Sequence, residues 1–165
     1  MPCYHPIPAY RSPRCLDLKS GKPKIFFKEI QVKAWPGYES FEVPCGQCIG
    51  CRLERSRQWA MRCCHEASLY DLNCFITLTY DPEHLPPDGS LVLDHFQRFM
   101  KRLRKRFGSG IRFFHCGEYG EKFARPHYHA CLFNFDFPDK VLYTIRDEIR
   151  LYRSAILEEL WPLVS

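Results

Sequence analysis

His127 and His129 stand one residue apart in the run Arg125-Pro126-His127-Tyr128-His129-Ala130-Cys131-Leu132-Phe133. On an extended strand side chains alternate, so the two imidazoles and Cys131 share one face while Tyr128 and Ala130 take the other. Just upstream, Ile111 to Glu118 is also strand-like, and Gly120 and Pro126 mark a turn between the two stretches. Pairing them as a hairpin brings Glu118 beside His127, where it can reach the same point in space. Two imidazoles and a carboxylate leave coordination positions free, which is what a catalytic rather than a structural metal needs. The plain alternative is a pair of partly buried or surface histidines that bind nothing.

A second group of ligand-type residues is Cys45-Gly46-Gln47-Cys48-Ile49-Gly50-Cys51. Cys-x-x-Cys spacing lets two thiolates reach one ion from a tight turn, and the glycines permit the positive backbone angles this requires. Three thiolates want a fourth, and Cys3 or Cys15 is the natural candidate. Zn²⁺ is the first choice, an iron–sulfur cluster suits the same spacing, and free thiols on a loop are the ordinary alternative. Ten cysteines in 165 residues would suggest a disulfide scaffold in a secreted protein. The opening residues lack the basic-then-apolar pattern of a secretion signal, so reduced thiols or metal ligands in a cytosol are expected. No apolar run approaches the length of a membrane span.

Positioning these groups falls to a chain with 45% hydrophobic and 15% aromatic residues, long enough for one cored domain with a small appendage. The formal charge of +5 is concentrated in one place. Between Asp94 and Phe107 lie Arg98, Lys101, Arg102, Arg104, Lys105 and Arg106, with Asp94 the only carboxylate. Such one-sidedness suits a polyanionic partner, although a charge run is usually a solvated face.

Residues 1–22, rich in proline, are expected to be irregular. Lys24 to Trp35 and Tyr38 to Val43 read as a small hairpin about Pro36-Gly37. From Arg52 to Tyr70 the positions Leu53, Ser56, Ala60, Cys63, Ala67 and Tyr70 mark an amphipathic helix, with Arg52, Arg55, Arg57 and Arg62 on its other face. Asn73 to Asp81 reads as a strand whose Thr77 and Thr79 hydroxyls can donate to phosphates. A helix capped by Asp94 then buries Phe96, Phe99, Met100, Leu103 and Phe107, and Gly108 ends it. After the hairpin of Ile111 to Phe135, a helix from Asp139 to Leu160 is expected, stopped by Pro162. Strand, helix, strand, strand, helix gives an α+β, ferredoxin-like antiparallel sheet with helices on one face, short of its last strand. Residues 1–51 form the cysteine-rich N-terminal segment and residues 52–165 this core.

Taken together, the Cys45/Cys48/Cys51 run followed by Trp59 and Arg62, Phe75-Ile76-Thr77-Leu78-Thr79-Tyr80, Gly117-Glu118-Tyr119-Gly120, and Arg125-Pro126-His127-Tyr128-His129 resemble one family. It comprises the replication-initiation proteins of gokushovirus-type microviruses, within the rolling-circle HUH endonucleases. The likeness runs from Cys3 to about Trp161. It implies a nickase and strand transferase acting on single-stranded DNA at the replication origin, alongside host replication proteins, in the cytoplasm of the bacterial host. It implies Mg²⁺ or Mn²⁺ held by Glu118, His127 and His129. The strand of Phe75 to Tyr80 is implied to grip DNA through Thr77, Thr79 and Tyr80. Arg98, Lys101, Arg102, Arg104, Lys105 and Arg125 would add phosphate contacts.

In that family the nucleophile is a tyrosine on a helix after the metal hairpin, commonly with a lysine a few residues on. Here the late tyrosines are Tyr143 and Tyr152, neither followed by such a lysine, and Tyr152 has the spacing of a core position. The nucleophile is therefore expected beyond Ser165, in a chain interrupted at its C-terminus. Two alternatives follow: a DNA-binding remnant that cannot cut, and a zinc-stabilised RNA-binding module.

Overall fold

A computed structural model describes residues 3–121 and 123–163, which form two compact units, Met1–Met61 and Arg62–Ser165. The boundary falls inside a long helix, later than the division expected after Cys51.

In the first unit, strands β1 (Ile7–Leu16), β2 (Pro23–Phe26) and β3 (Glu39–Val43) make an antiparallel sheet in the order β2-β1-β3. The expectation of irregular structure over residues 1–22 is thus corrected. β1 buries Ala9, Ser12 and Cys15, a spacing of three, because its register shifts between Arg11 and Leu16. Pro13 lies in that irregular stretch, where a missing N–H is tolerated, and the broken alternation hid the strand. The expected hairpin is also corrected, since β2 and β3 both pair with β1 and a 3₁₀ turn at Glu29–Gln31 lies between them. Helix α1 (Ile49–Ala67) follows and crosses into the second unit.

The second unit continues with β4 (Asn73–Thr79), α2 (Leu93–Phe107), β5 (Arg112–Tyr119), β6 (Pro126–Phe133), β7 (Val141–Arg146), β8 (Ile149–Arg153) and α3 (Ala155–Leu160). β4, β6 and β5 form an antiparallel sheet with β6 in the centre. The chain is therefore α+β with antiparallel sheets. Ile76, Leu78, Tyr128, Ala130 and Leu132 point from the sheet into a core closed by Phe96, Phe99, Met100 and Leu103 of α2 and by Leu160 and Trp161. Burial of such side chains stabilises by about 1.5–3 kcal/mol each, so this apolar stripe fixes which face α2 turns inward. The cap of α2 is Val92 rather than Asp94, which sits in the first turn and pairs with Arg98. Gly108 ends the helix with φ of 103°, a value only glycine adopts readily.

The helix expected from Asp139 to Leu160 is replaced by the β7–β8 hairpin and the short α3. Arg146 pairs with Ile149 around Asp147 and Glu148, whose φ angles are 46° and 65°. Two positive φ values in a two-residue loop define the turn that suits strand twist. The apolar spacing of 141, 145, 149, 152 and 156 fitted a helix by coincidence. Val141, Tyr143, Ile145 and Ile149 are exposed, so no single stripe was ever buried. α3 is anchored by Asp139, whose carboxylate accepts from Ser154 Oγ at 2.6 Å and from the Ile156 N–H at 2.9 Å. The Trp161 indole donates to the Thr79 carbonyl at 2.6 Å and ties the end of α3 to β4.

Candidate metal centre

The pairing of β5 with β6 sets Glu118 opposite His127 and Cys116 opposite His129. On the other side of β6, β4 sets Thr79 opposite His127 and Thr77 opposite His129. Partners across a ladder share a face, so Glu118, both histidines and both threonines lie together on the face turned away from the core. Gly117 keeps the inner face of β5 smooth at this point: a Cβ there would stand 2.6 Å from Leu91.

The rings converge. His129 Nε2 lies 3.4 Å and His127 Nε2 3.9 Å from the same oxygen, Glu118 Oε2. One donor atom from each of the three residues lies within 4.8 Å of the others. Right-angle coordination with bonds of about 2.1 Å needs donors about 3 Å apart, a contraction small enough for side-chain rotation. The far nitrogens are held as a metal ligand requires. His127 Nδ1 meets the Arg125 carbonyl at 3.1 Å and His129 Nδ1 meets Thr77 Oγ1 at 3.0 Å. The Arg125 carbonyl can only accept, so His127 carries its N–H at Nδ1 and its Nε2 lone pair is aimed at Glu118, and the Thr77 hydroxyl is able to take the same acceptor role toward His129. Burial, with His127 nearby, lowers the pKa of His129 and keeps its ring neutral. Glu118 is exposed, so the open side faces solvent. Two imidazoles and a carboxylate, without thiolate, are a donor set that could hold a divalent cation.

The other residues singled out in the sequence divide. Thr77 and Thr79 are exposed on the metal face. Tyr80, expected to touch DNA, is only 2% exposed, because the strand's alternation sends it into the core, where its hydroxyl meets His95 Nδ1 at 2.9 Å. Arg125 directs its guanidinium at the Tyr80 carbonyl. On α2, Arg102 donates to the Leu160 carbonyl at 2.9 Å, and Arg104 donates to Ile111 O at 2.7 Å and lies over the Phe113 ring. Arg98 pairs with Asp94 and Arg106 with Glu159. Lys101 and Lys105 are exposed and form no ion pair among the described residues.

Tyr143 and Tyr152 stand on β7 and β8, not on a helix, and both are exposed, so the expected core position of Tyr152 is corrected. Arg153 lies over the ring of Tyr143 and Lys140 over that of Tyr152. Both tyrosines line a cavity of about 610 Å³ along β4 that also includes Phe75 and Thr77.

Two roles escaped the sequence reading. The Thr77 hydroxyl hydrogen-bonds His129 Nδ1 and orients its ring, and Phe75, 65% exposed, stacks on the His129 ring at 5.3 Å. The alternation of β4 put both on one face, but only its pairing with β6 reveals which histidine they meet.

In the first unit, Cys3, Cys45, Cys48 and Cys51 bring their sulfurs within 4.8 Å of one another. Cys3 therefore occupies the fourth position, while Cys15 is buried on β1 outside the group. Backbone N–H groups of Tyr4 and Cys51 hold the Cys48 thiol down at about 6.

The α+β unit that brings Glu118, His127 and His129 together lies in the part of the chain that matches a known family. Residues 73–164 match the family of replication-associated proteins ORF2/G2P, and the chain belongs to that family. It is 40% identical over 131 residues to the replication-associated protein VP4 of Bdellovibrio phage phiMH2K, covering 74% of this chain and 41% of the relative. It is 36% identical to the replication-associated protein ORF2 of Spiroplasma virus 4, covering 84% and 46%, and 36% identical to the replication-associated protein ORF4 of Chlamydia phage 1, covering 74% and 33%. The resemblance to gokushovirus-type replication proteins is borne out. The chain spans less than half the length of these curated relatives. No solved structure matches it, and no helix among the described residues is long and apolar enough to cross a membrane.

Proposed function

We propose that this chain serves rolling-circle replication of a single-stranded phage genome in its bacterial host, as the metal-binding and DNA-gripping core of an HUH-type origin nickase. The observation that carries this is the convergence of His127 Nε2 and His129 Nε2 on Glu118 Oε2, with both Nδ1 atoms already engaged. A divalent cation held there by Glu118, His127 and His129 would supply neutralisation of the scissile phosphate's charge. The protein's own part is positioning. Thr77 and the Arg125 carbonyl lock the imidazoles, Glu118 supplies the third ligand, and the exposed Phe75 offers a stacking surface for a base of unpaired DNA. Thr79 adds a hydroxyl on the same face for a phosphate oxygen, and Lys101 and Lys105 attract the polyanion. In the full reaction a tyrosine oxygen attacks phosphorus and the P–O3′ bond breaks. The 3′ oxygen leaves with a proton as a free hydroxyl, and the 5′ phosphate remains as a tyrosine ester that the same site can reverse.

A second reading is favoured by the location of Tyr143 and Tyr152 on an exposed β-hairpin with a cation over each ring. On it the chain binds the origin without forming the covalent link. Incubating the chain with single-stranded genomic DNA of its phage and Mn²⁺ tests both. Metal-dependent cleavage with a covalent adduct, lost in H127A/H129A, supports the nickase. DNA binding without cleavage supports the second reading, and the absence of binding contradicts both.

A further inference from the structure

The first unit buries only Ala9, Cys15 and Val32 as apolar side chains among its described residues. That is too little apolar surface to hold a three-stranded sheet, and small domains in this position are usually stapled by disulfides or a metal. Disulfides are not the staple here. All four cysteines of the cluster are free, and Cys3 Sγ lies 3.9 Å from Cys48 Sγ, about twice a disulfide bond length.

We infer that Cys3, Cys45, Cys48 and Cys51 hold a single Zn²⁺ in tetrahedral tetrathiolate coordination, a structural site independent of the Glu118 centre. Zinc–sulfur bonds of about 2.3 Å in a tetrahedron place sulfurs about 3.8 Å apart. The observed 3.9 Å between Cys3 and Cys48, and the 4.8 Å ceiling across the set, match one ion. An iron–sulfur cluster fills the space among its cysteines with irons and sulfides and spreads the ligands further, so the geometry decides between the two metals that the spacing alone left open. Four backbone N–H groups point at these sulfurs: Cys45 to Cys3 at 3.3 Å, Cys48 to Cys45 at 3.4 Å, and Tyr4 and Cys51 to Cys48, both at 3.5 Å. Donors aimed at sulfur suit thiolates and disperse the net negative charge of a zinc tetrathiolate. Gly46, with φ of 76°, makes the turn that lets Cys45 and Cys48 face one point. Cys48 directly precedes α1 and Cys51 lies in its first turn, where the positive end of the helix dipole opposes the same charge.

The ion would join three pieces of the unit. Cys3 lies just before β1, Cys45 just after β3, and Cys51 in α1, with Cys3 and Cys45 42 positions apart in the chain. Binding therefore closes the open ends of the β2-β1-β3 sheet onto the start of the helix, in place of the core that the unit lacks.

The full chain, purified without chelator, should contain about one zinc by plasma mass spectrometry, and replacement by Co²⁺ should give the intense visible absorption of tetrahedral thiolate coordination. H127A/H129A should keep its zinc and C45S/C48S should lose it. Should the cysteine variant fail to fold, a strong chelator added to the wild-type chain should lower its Tm, with recovery on adding Zn²⁺ back. Less than a tenth of an equivalent of zinc with Tm unmoved by chelator would overturn the inference. So would iron with labile sulfide, or zinc that departs with the histidines rather than the thiols.

Discussion

Imidazole rings bind a cation only when they are turned to it and carry their protons on the far side; the Arg125 carbonyl imposes both conditions on His127, and the Thr77 hydroxyl fixes the orientation of His129. Replacing Thr77 with Val keeps the shape of the β4 residue but removes the hydroxyl hydrogen-bonded to His129 Nδ1. The expected outcome is a Mn²⁺ affinity about 10–100-fold weaker with an unchanged circular dichroism spectrum, measured by isothermal titration. At the same scale, Asp139 carries a pH dependence. Burial works against its carboxylate, yet the Ser154 hydroxyl and the Ile156 N–H outweigh it and hold its pKa below the usual value. A carboxylate whose folded pKa is depressed stabilises above its unfolded pKa of about 3.9 and stops doing so as pH falls through the folded value. D139N should therefore cost about 1–2 kcal/mol at pH 7. The gap in Tm between it and the wild type should narrow as pH falls below about 4; a gap independent of pH would assign the loss to packing instead.

Helix α2 looks in the sequence like a uniform basic face, but its cations do different work. Arg102 and Arg104 satisfy the carbonyls of Leu160 and Ile111, whereas Lys101 and Lys105 stand free of ion pairs among the described residues. Changing Lys101 and Lys105 to Ala should reduce the dependence of single-stranded DNA affinity on salt, with a slope smaller by about 1.4, and leave Tm unchanged. Changing Arg102 or Arg104 to Ala should instead lower stability by about 1–3 kcal/mol in urea unfolding, since a buried acceptor loses its donor. The elements that bring Glu118, His127 and His129 together were legible because their patterns were unambiguous: alternation in β6 put His127 and His129 on one face, and Gly120 and Pro126 set the turn that registers Glu118 with His127. The β7–β8 hairpin was not legible, since its apolar residues are spaced as in a helix and its turn, Asp147-Glu148, lacks the glycine that usually announces it. Nor was β1, whose bulge changed the spacing of its buried residues from two to three.

On the scale of the whole molecule, the two units contrast in how they are held. The second has an aromatic core in which Trp161 packs edge-on against Tyr80, Phe99 and Tyr128, whereas the first has a cluster of four thiols and few buried side chains. The chain spans less than half the length of its phage relatives, so the proposal for it is confined to DNA gripping and metal binding. Formation of the covalent intermediate is the separable question that the adduct assay addresses. The central claim is that Glu118, His127 and His129 together hold one divalent cation, and electron paramagnetic titration with Mn²⁺ tests it most directly. One Mn²⁺ per wild-type chain, absent from H127A/H129A while the circular dichroism and zinc content stay the same, is the predicted result. Wild-type protein that leaves Mn²⁺ free in solution, or a double variant that binds it equally well, would contradict it.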